Sequence, residues 1–263
     1  MAETTYSARA IILRRTRLKE TDLIVTALAQ DGRQIRAVAK GARKPSSPFS
    51  ARLELYTEAD LLLAKGRGDL DIVKEARIFA CRTDGASPEF ALCAALAAET
   101  AEKLTHSQVA SPRLYPLTSA VLDRLSAEFS VPEPDGNRRG AALCAAYMLK
   151  SFAFAGLRPS FAQCSVCGCP VDFSASRTMA FSVMEGGAVC PDCRAEASSM
   201  HMLSSDIVAW AAFMLSSPFD VVLARAPELH VSRSILRICR DWMRVHAGAN
   251  IRTLGCLLDS GLF

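Results

Sequence analysis

The chain has 263 residues and half of them are hydrophobic, which excludes global disorder and allows one large domain or two smaller ones. No apolar run approaches the roughly 18 to 20 residues of a membrane-spanning helix, and the N-terminus lacks a signal-peptide pattern, so we expect a cytoplasmic protein without a membrane partner. The net charge is only +4, but residues 1–80 carry 15 Lys and Arg against 10 Asp and Glu. This asymmetry is typical of a nucleic-acid-facing module, and an unevenly charged soluble surface is the alternative.

The first 80 residues predict a small β-barrel. Five short strands are indicated by the segments ARAIILRRTRL, TDLIVTALAQ, RQIRAVAKG, LELYTEADLLLA and LDIVKEARIF. Asp31-Gly32, between the second and third strands, is a strong hairpin signal. Five strands without a long intervening helix favour an OB-fold barrel, and a five-stranded SH3-like barrel is the main alternative.

Basic residues are concentrated in this predicted barrel, and no acidic residue occurs between Asp31 and Glu54. The candidate phosphate-binding residues are Arg14, Arg15, Arg17, Arg33, Arg36, Lys40, Arg43 and Lys44. Pro45 and Pro48 limit the freedom of the basic loop and partly fix its charges in place. Because the same 80 residues contain only four aromatic side chains, we expect binding through phosphates, with weak sequence preference and steep salt dependence.

The pattern changes to helices after residue 80. Helical spacing or composition is seen in PEFALCAALAAETAEKLTH, LYPLTSAVLDRLSAEF, AALCAAYMLKSFAFAGL, DIVAWAAFMLSS, VSRSILRICRDWMRVHAG and IRTLGCLLDSGL. The intervening VPEPDGNRRG is predicted to be a loop. The sequence therefore predicts an α+β chain of two domains: an OB-fold at 1–80 and an all-helical domain at 81–263 with a cysteine-rich insert at about 160–195.

The insert contains two C-x-x-C pairs, formed by Cys164, Cys167, Cys190 and Cys193. Two such pairs about 20 residues apart are typical of a tetrahedral zinc site, and four thiolates leave no open coordination position, so we expect a structural Zn²⁺ ion. Cys169 could replace Cys167 as a ligand, and MAFSVMEGGAV could form a hairpin between the pairs. The alternative of redox dithiols lacks the expected βαβ context. The other cysteines are expected to be buried as small hydrophobic residues: Cys81, Cys93, Cys144, Cys239 and Cys256.

Catalytic motifs are absent from the sequence. It has no phosphate-binding G-x-x-x-x-G-K-[ST] loop, no G-x-G-x-x-G and no G-x-S-x-G, and its four histidines are scattered. We therefore expect a protein that is not an enzyme. The alternatives are an RNA-binding or translation-associated OB-fold zinc protein and, in another class, a zinc-dependent nuclease or hydrolase, which would need an open metal position.

The segment LKETDLIVTALAQDGRQIRAVAKGARKPSSPFSARLELY, followed by KGRGDLDIVKEAR, resembles the N-terminal domain of the bacterial recombination mediator family RecO. AKGARKPSSPF is its most specific part, and the later helices and C-x-x-C pairs are similar to the helical domain and zinc site of that family. The resemblance implies an OB-fold that binds single- and double-stranded DNA and anneals complementary strands in the RecF pathway of DNA repair and recombination. It implies RecR, the single-strand-binding protein SSB and sometimes RecF as partners, loading of RecA onto gapped DNA, and association with the nucleoid.

A second basic feature lies near the C-terminus. Four arginines recur at spacings of four, three and four residues: Arg233, Arg237, Arg240 and Arg244. At about 100° per residue they share one face of a helix, opposite Ile235, Ile238, Cys239 and Trp242. They form either an ordinary solvated face or a docking stripe for DNA or for the acidic tail of SSB.

Overall fold

The computed structural model describes residues 4–66, 68–82, 87–131, 133–172 and 176–261. The chain forms two compact units, Met1–Val131 and Pro132–Phe263. Within the described ranges, no helix has both the length and the apolar character needed to cross a membrane. Residues 173–175 of the predicted insert lie outside the described residues.

The first unit contains a closed five-stranded barrel. Its strands are β1 (Thr5–Leu18), β2 (Asp22–Ala29), β3 (Gln34–Ala39), β4 (Glu58–Ala64) and β5 (Asp71–Ala80). They close in the order β1-β2-β3-β5-β4, and every neighbouring pair is antiparallel except β3 with β5. This is the OB arrangement, so the predicted fold class is confirmed.

The barrel interior is filled by alternate residues of each strand. Val25 and Ala27 on β2 and Ala37 on β3 are fully buried in one hydrophobic cluster. Alanine recurs at these inward positions, and small side chains allow a barrel of only five strands to close without a central void.

The predicted hairpin connects β2 and β3. Its loop is Gln30–Gly32, closed by the Ala29 amide donating to the Arg33 carbonyl at 2.9 Å. Gly32 has a left-handed backbone with φ of 84°, and a Cβ atom there would lie 2.1 Å from the carbonyl carbon of Ser111. Glycine is therefore required both by the backbone conformation and by the close approach of a second segment.

The predicted fourth strand was wrong in its first half. Phe49–Arg52 forms the short helix α1, and the strand begins only at Glu58. Tyr56 has a left-handed backbone with φ of 65°, which interrupts an extended chain. The apolar Leu53 and Tyr56 that suggested a strand are instead buried side chains of a turn.

Helices α2 (Pro88–Leu104) and α3 (Leu114–Glu128) belong to the first unit, and α2 packs against β1 and β2. A buried ion network links α3 to the barrel. Arg82 donates to Glu58 of β4 at 3.1 Å and to Asp123 of α3, and Tyr115 donates to Glu58. Arg82 and Glu58 are about 5% exposed. The sequence-based domain boundary at residue 80 stays a prediction.

The second unit combines helices with a small sheet. Its elements are α4 (Gly136–Phe154), β6 (Thr178–Ser182), β7 (Gly187–Val189), β8 (Met200–Ser204), α5 (Ser205–Ser216), α6 (Phe219–Arg225), α7 (Leu229–His246) and α8 (Arg252–Asp259). The sheet order is β7-β6-β8, so the hairpin predicted between the C-x-x-C pairs is present. The sequence did not predict β8 or α6.

The central helix of this unit is α4. Its residues from Gly140 to Leu149 are all buried, as the almost entirely apolar sequence predicts. The helix begins at Gly136, however, so the prediction of a loop through residue 140 was wrong. Arg138 forms an ion pair with Asp135 and donates to the carbonyl of Ala226, and these contacts stabilise a first turn in which Gly136 disfavours a helix.

Candidate nucleic-acid interface and metal centre

A group of basic side chains lies at one rim of the barrel. These side chains come from the end of β1, the β1–β2 turn and the loop after β3. We call the group the basic turn cluster, and its members are Arg17, Lys19, Lys40, Arg43 and Lys44. Arg17 pairs with Leu23 on β2, which pairs with Ala39 on β3, so three adjacent strand ends meet at this rim. All five side chains are exposed. The sequence predicted four of them and missed Lys19, which follows the strand at a turn.

Hydrogen bonds fix the basic loop to the β1–β2 turn. Asp22 accepts the Gly41 amide at 2.8 Å, and the Thr21 carbonyl accepts the Arg43 amide at 2.9 Å. The guanidinium of Arg43 donates to the carbonyls of Glu20, at 2.7 Å, and Lys19, at 3.3 Å. The amide of Gly41 chiefly accounts for the lowered pKa of Asp22. Two segments that are distant in sequence therefore form one surface.

The basic loop is also anchored from within. Ala42 is 2% exposed and Leu53 is fully buried, and both belong to the barrel core, against which Phe49 packs. A loop with apolar anchors near both ends has less conformational freedom than a fully solvated one. The charges between these anchors therefore occupy restricted positions.

The remaining predicted barrel residues lie elsewhere. Arg14 bonds to Glu102 of α2 at 3.1 Å, and Arg15 forms an ion pair with Glu54. Arg14 and Arg36 both pair with Thr26 of β2, so their side chains lie on the same outer face of the barrel.

Arg33 lies at the opposite end of β3 from Lys40 and forms an ion pair with Asp31. Arg33 and Arg36 line a cleft of about 790 Å³ that also includes Asp31 and Asp71. These carboxylates weaken the attraction of this cleft for phosphate. The structure thus brings only part of the predicted set together.

Aromatic side chains of the barrel are mostly engaged within the protein. Tyr6 donates to Asp71, Phe49 packs on the core and Tyr56 is buried. Phe79 is 55% exposed, and the Arg9 guanidinium lies 3.6 Å from the centre of its ring. This distribution agrees with binding that depends on phosphate contacts rather than on a base-stacking platform.

The four predicted ligand cysteines converge in the second unit. The Sγ atoms of Cys164, Cys167, Cys190 and Cys193 all lie within 4.8 Å of one another. The Sγ atoms of Cys167 and Cys190 are 3.7 Å apart, close to the separation of about 3.8 Å that tetrahedral coordination with Zn–S bonds near 2.3 Å requires. The arrangement fits a closed Zn²⁺ site that would join the turn of Cys164 to the sheet.

Backbone amides make this group suitable for a cation. Burial acts to raise the pKa of Cys164, but amide hydrogen bonds from Cys190, Cys167 and Val166 outweigh it and lower the pKa to about 6. Hydrogen bonds with Cys190 and Cys167 raise the pKa of Cys193. Four thiolates this close repel one another, and a divalent cation removes that repulsion.

The other cysteines separate into two classes. Cys169 is exposed outside the group of four, and its carbonyl accepts the Cys164 amide at 2.8 Å. Cys93, Cys144 and Cys239 are buried as predicted. The prediction was wrong for Cys81 and Cys256, which are exposed. Cys81 follows the end of β5, and Cys256 lies on the outer side of the short helix α8.

The four arginines on α7 lie on the face opposite the buried Ile235, Cys239 and Trp242. They differ in their contacts within the second unit. Arg233 donates to the Leu258 carbonyl at 2.9 Å, and Arg244 lies 3.5 Å from Asp241. Arg240 is 3.8 Å from the same carboxylate, and Arg237 is exposed.

Comparison with known families covers nearly the entire chain. Residues 1–82 match the model described as Recombination protein O N terminal, and residues 87–255 match Recombination protein O C terminal. The chain belongs to the recombination protein O family. Membership supports a role as a mediator in DNA recombination and repair, and thus the binding of DNA. The RecO resemblance of the sequence is therefore confirmed.

Proposed function

We propose that this RecO-family protein binds single- and double-stranded DNA through the basic turn cluster and anneals complementary strands. The observation that supports this most strongly is the joining of the β1–β2 turn to the Lys40–Lys44 loop by hydrogen bonds, which concentrates five cationic side chains at one rim. Fixed cations neutralise phosphates without contacting base edges. The bases then stay free to pair with a second strand.

The proposal extends to partners and to the α7 stripe. With RecR, and with RecF where it is needed, the protein would help to load RecA onto gapped DNA coated with SSB in the cytoplasm. The stripe, Arg233 to Arg244, would receive DNA or the acidic tail of SSB, since Arg237 and Arg244 are exposed. The chemistry is non-enzymatic, and the Zn²⁺ held by the four cysteines would keep the insert folded.

A salt titration of oligonucleotide binding tests the DNA site. Lys40→Glu with Lys44→Glu should weaken binding at least about tenfold and make the log–log salt slope shallower by about 1.5, since each phosphate contact contributes about −0.7 to −0.9. The matched control is Lys103→Glu with Arg113→Glu, an equal charge change at exposed residues near Glu102 and Ser111, which bond to Gln34 and Gly32 at the opposite end of β3. Equal losses in both pairs would contradict a defined site.

Strand annealing tests the mediator role. Complementary oligonucleotides coated with SSB should anneal faster with the wild-type protein and RecR than with the Lys40→Glu, Lys44→Glu variant. Equal acceleration by both proteins would reject the role of the cluster. Tighter binding to RNA than to DNA of the same sequence would favour the alternative of an RNA-binding OB-fold protein.

A further inference from the structure

An acidic residue lies inside the basic turn cluster, and this placement needs a physical reason. Asp22 opens β2 between Lys19 and Lys40, at the rim where we propose phosphates bind. A carboxylate at this position repels phosphate by Coulomb's law and lowers the positive potential of the surface. A residue chosen only for phosphate affinity would not be acidic.

The contacts of Asp22 supply that reason. Its Oδ1 atom accepts the Gly41 amide at 2.8 Å and the Thr21 hydroxyl at 3.1 Å, so one oxygen joins the turn to the loop. Gly41, whose amide makes this bond, has φ of 64°, a left-handed conformation that glycine adopts readily. The Arg43 side chain completes the join through the carbonyls of Lys19 and Glu20.

We propose that Asp22 is a positioning residue of the DNA-binding surface, and that Arg43 acts with it to hold the loop against the turn rather than chiefly as a phosphate ligand. This inference rests on the proposed function of the cluster. Arg17, Lys19, Lys40 and Lys44 would then contact phosphates, because their exposed side chains extend from a loop and a turn that are already fixed.

The benefit is a lower entropic cost of binding. A loop that is ordered before DNA arrives does not lose further conformational freedom when it binds, so more of the electrostatic attraction appears as affinity. The gain from order must exceed the loss from one added negative charge. The two explanations therefore predict opposite changes in DNA affinity when this carboxylate is removed. Positioning predicts weaker binding, and simple electrostatics predicts tighter binding.

Substitutions at Asp22 separate the two effects. Asp22→Ala should weaken oligonucleotide binding about fivefold although the chain gains one positive charge, because the loop must be ordered on binding. Asp22→Asn keeps an acceptor oxygen without the charge, so it should bind at least as tightly as the wild type. Glu20→Ala, on the same exposed turn, is the matched charge control and should not weaken binding.

Amide hydrogen exchange of the full chain without DNA provides an independent measurement. Asp22→Ala should make the Gly41 amide exchange about tenfold faster, since a hydrogen bond to a charged acceptor is lost. Asp22→Asn should retain most of the protection. Both variants are first checked for an unchanged thermal transition, so that a folding defect is not read as a binding defect.

The outcomes are distinguishable. If Asp22→Ala binds DNA as tightly as the wild type or more tightly, while Lys40→Glu with Lys44→Glu weakens binding, Asp22 has no positioning role and the DNA site stands. If the lysine variant binds normally, DNA does not use the cluster, and both the site and the role of Asp22 are rejected. Weaker binding by Asp22→Ala, with rescue by Asp22→Asn, supports the positioning role.

Discussion

The barrel and the cysteine insert obtain their stability in different ways. The barrel core is a continuous apolar cluster drawn from all five strands, whereas the buried cluster of the insert consists of Cys164, Ala180, Val189, Cys190 and Cys193. Other side chains of the insert, among them Met179 and Phe181, add apolar burial, and Zn²⁺ held by the four cysteines would contribute further free energy of folding. The charged side chains of the barrel lie mostly at its surface, and the buried pair of Arg82 and Glu58 is an exception.

Loss of the metal should produce the largest effect and should be confined to the second unit. If the four cysteines hold zinc as proposed, Cys164→Ser, or treatment with a chelator, should remove it and abolish exchange protection in β6 and β7, since zinc binding contributes about 10 to 16 kcal/mol to small zinc domains. Metal analysis and hydrogen exchange measure both. Cys169→Ser is the matched control and should retain one zinc per chain. If Cys164→Ser also removed the exchange protection of the barrel, the effect of the metal would not be confined to the second unit.

The barrel unit should instead be sensitive to its buried ion network. Arg82→Met leaves Glu58 buried without its cationic partner and should lower the free energy of unfolding by about 3 to 5 kcal/mol, measured by urea denaturation. Arg9→Met, which removes the partner of the exposed Asp60, should have a much smaller effect. Similar losses in the two variants would show that burial of the network is unimportant.

The two basic surfaces can be compared by matched charge reversal. Arg237→Glu with Arg240→Glu should reduce DNA affinity less than Lys40→Glu with Lys44→Glu does, because Arg240 already lies near the carboxylate of Asp241. The same α7 variant should weaken binding of an acidic SSB-tail peptide about threefold or more, since two cations near the surface are replaced. Unchanged binding of both DNA and peptide identifies the stripe as an ordinary solvated face.

The smallest effect is expected at Phe79. Phe79→Ala should change single-strand affinity by less than about threefold, because binding depends on phosphates. A stacked base contributes about 1 to 3 kcal/mol, so a loss of fivefold or more would reveal a stacking platform next to Arg9. Fluorescence anisotropy at constant salt distinguishes these outcomes.

Local patterns predicted much of the architecture. Asp31-Gly32 marked the β2–β3 hairpin because few residues adopt a left-handed backbone, and the C-x-x-C spacing predicted the four cysteines that converge. The predictions that were wrong concern segments whose state depends on distant neighbours. LELYT has the apolar character of a strand, yet Leu53 and Tyr56 are buried in a turn, and β8 is a short strand that pairs with β6.

The sequence by itself determined the barrel, most of the longer helices, the four cysteines that converge and the basic character of the first 80 residues, since periodicity and spacing act over short distances along the chain. Only the tertiary structure decided how each charge is used. Arg14 contacts a helix, Arg15 forms an ion pair with Glu54, and Arg43 joins two segments, although all three have basic neighbours in the sequence. Their partners are fixed by strand register and packing, which bring together residues that are remote in sequence.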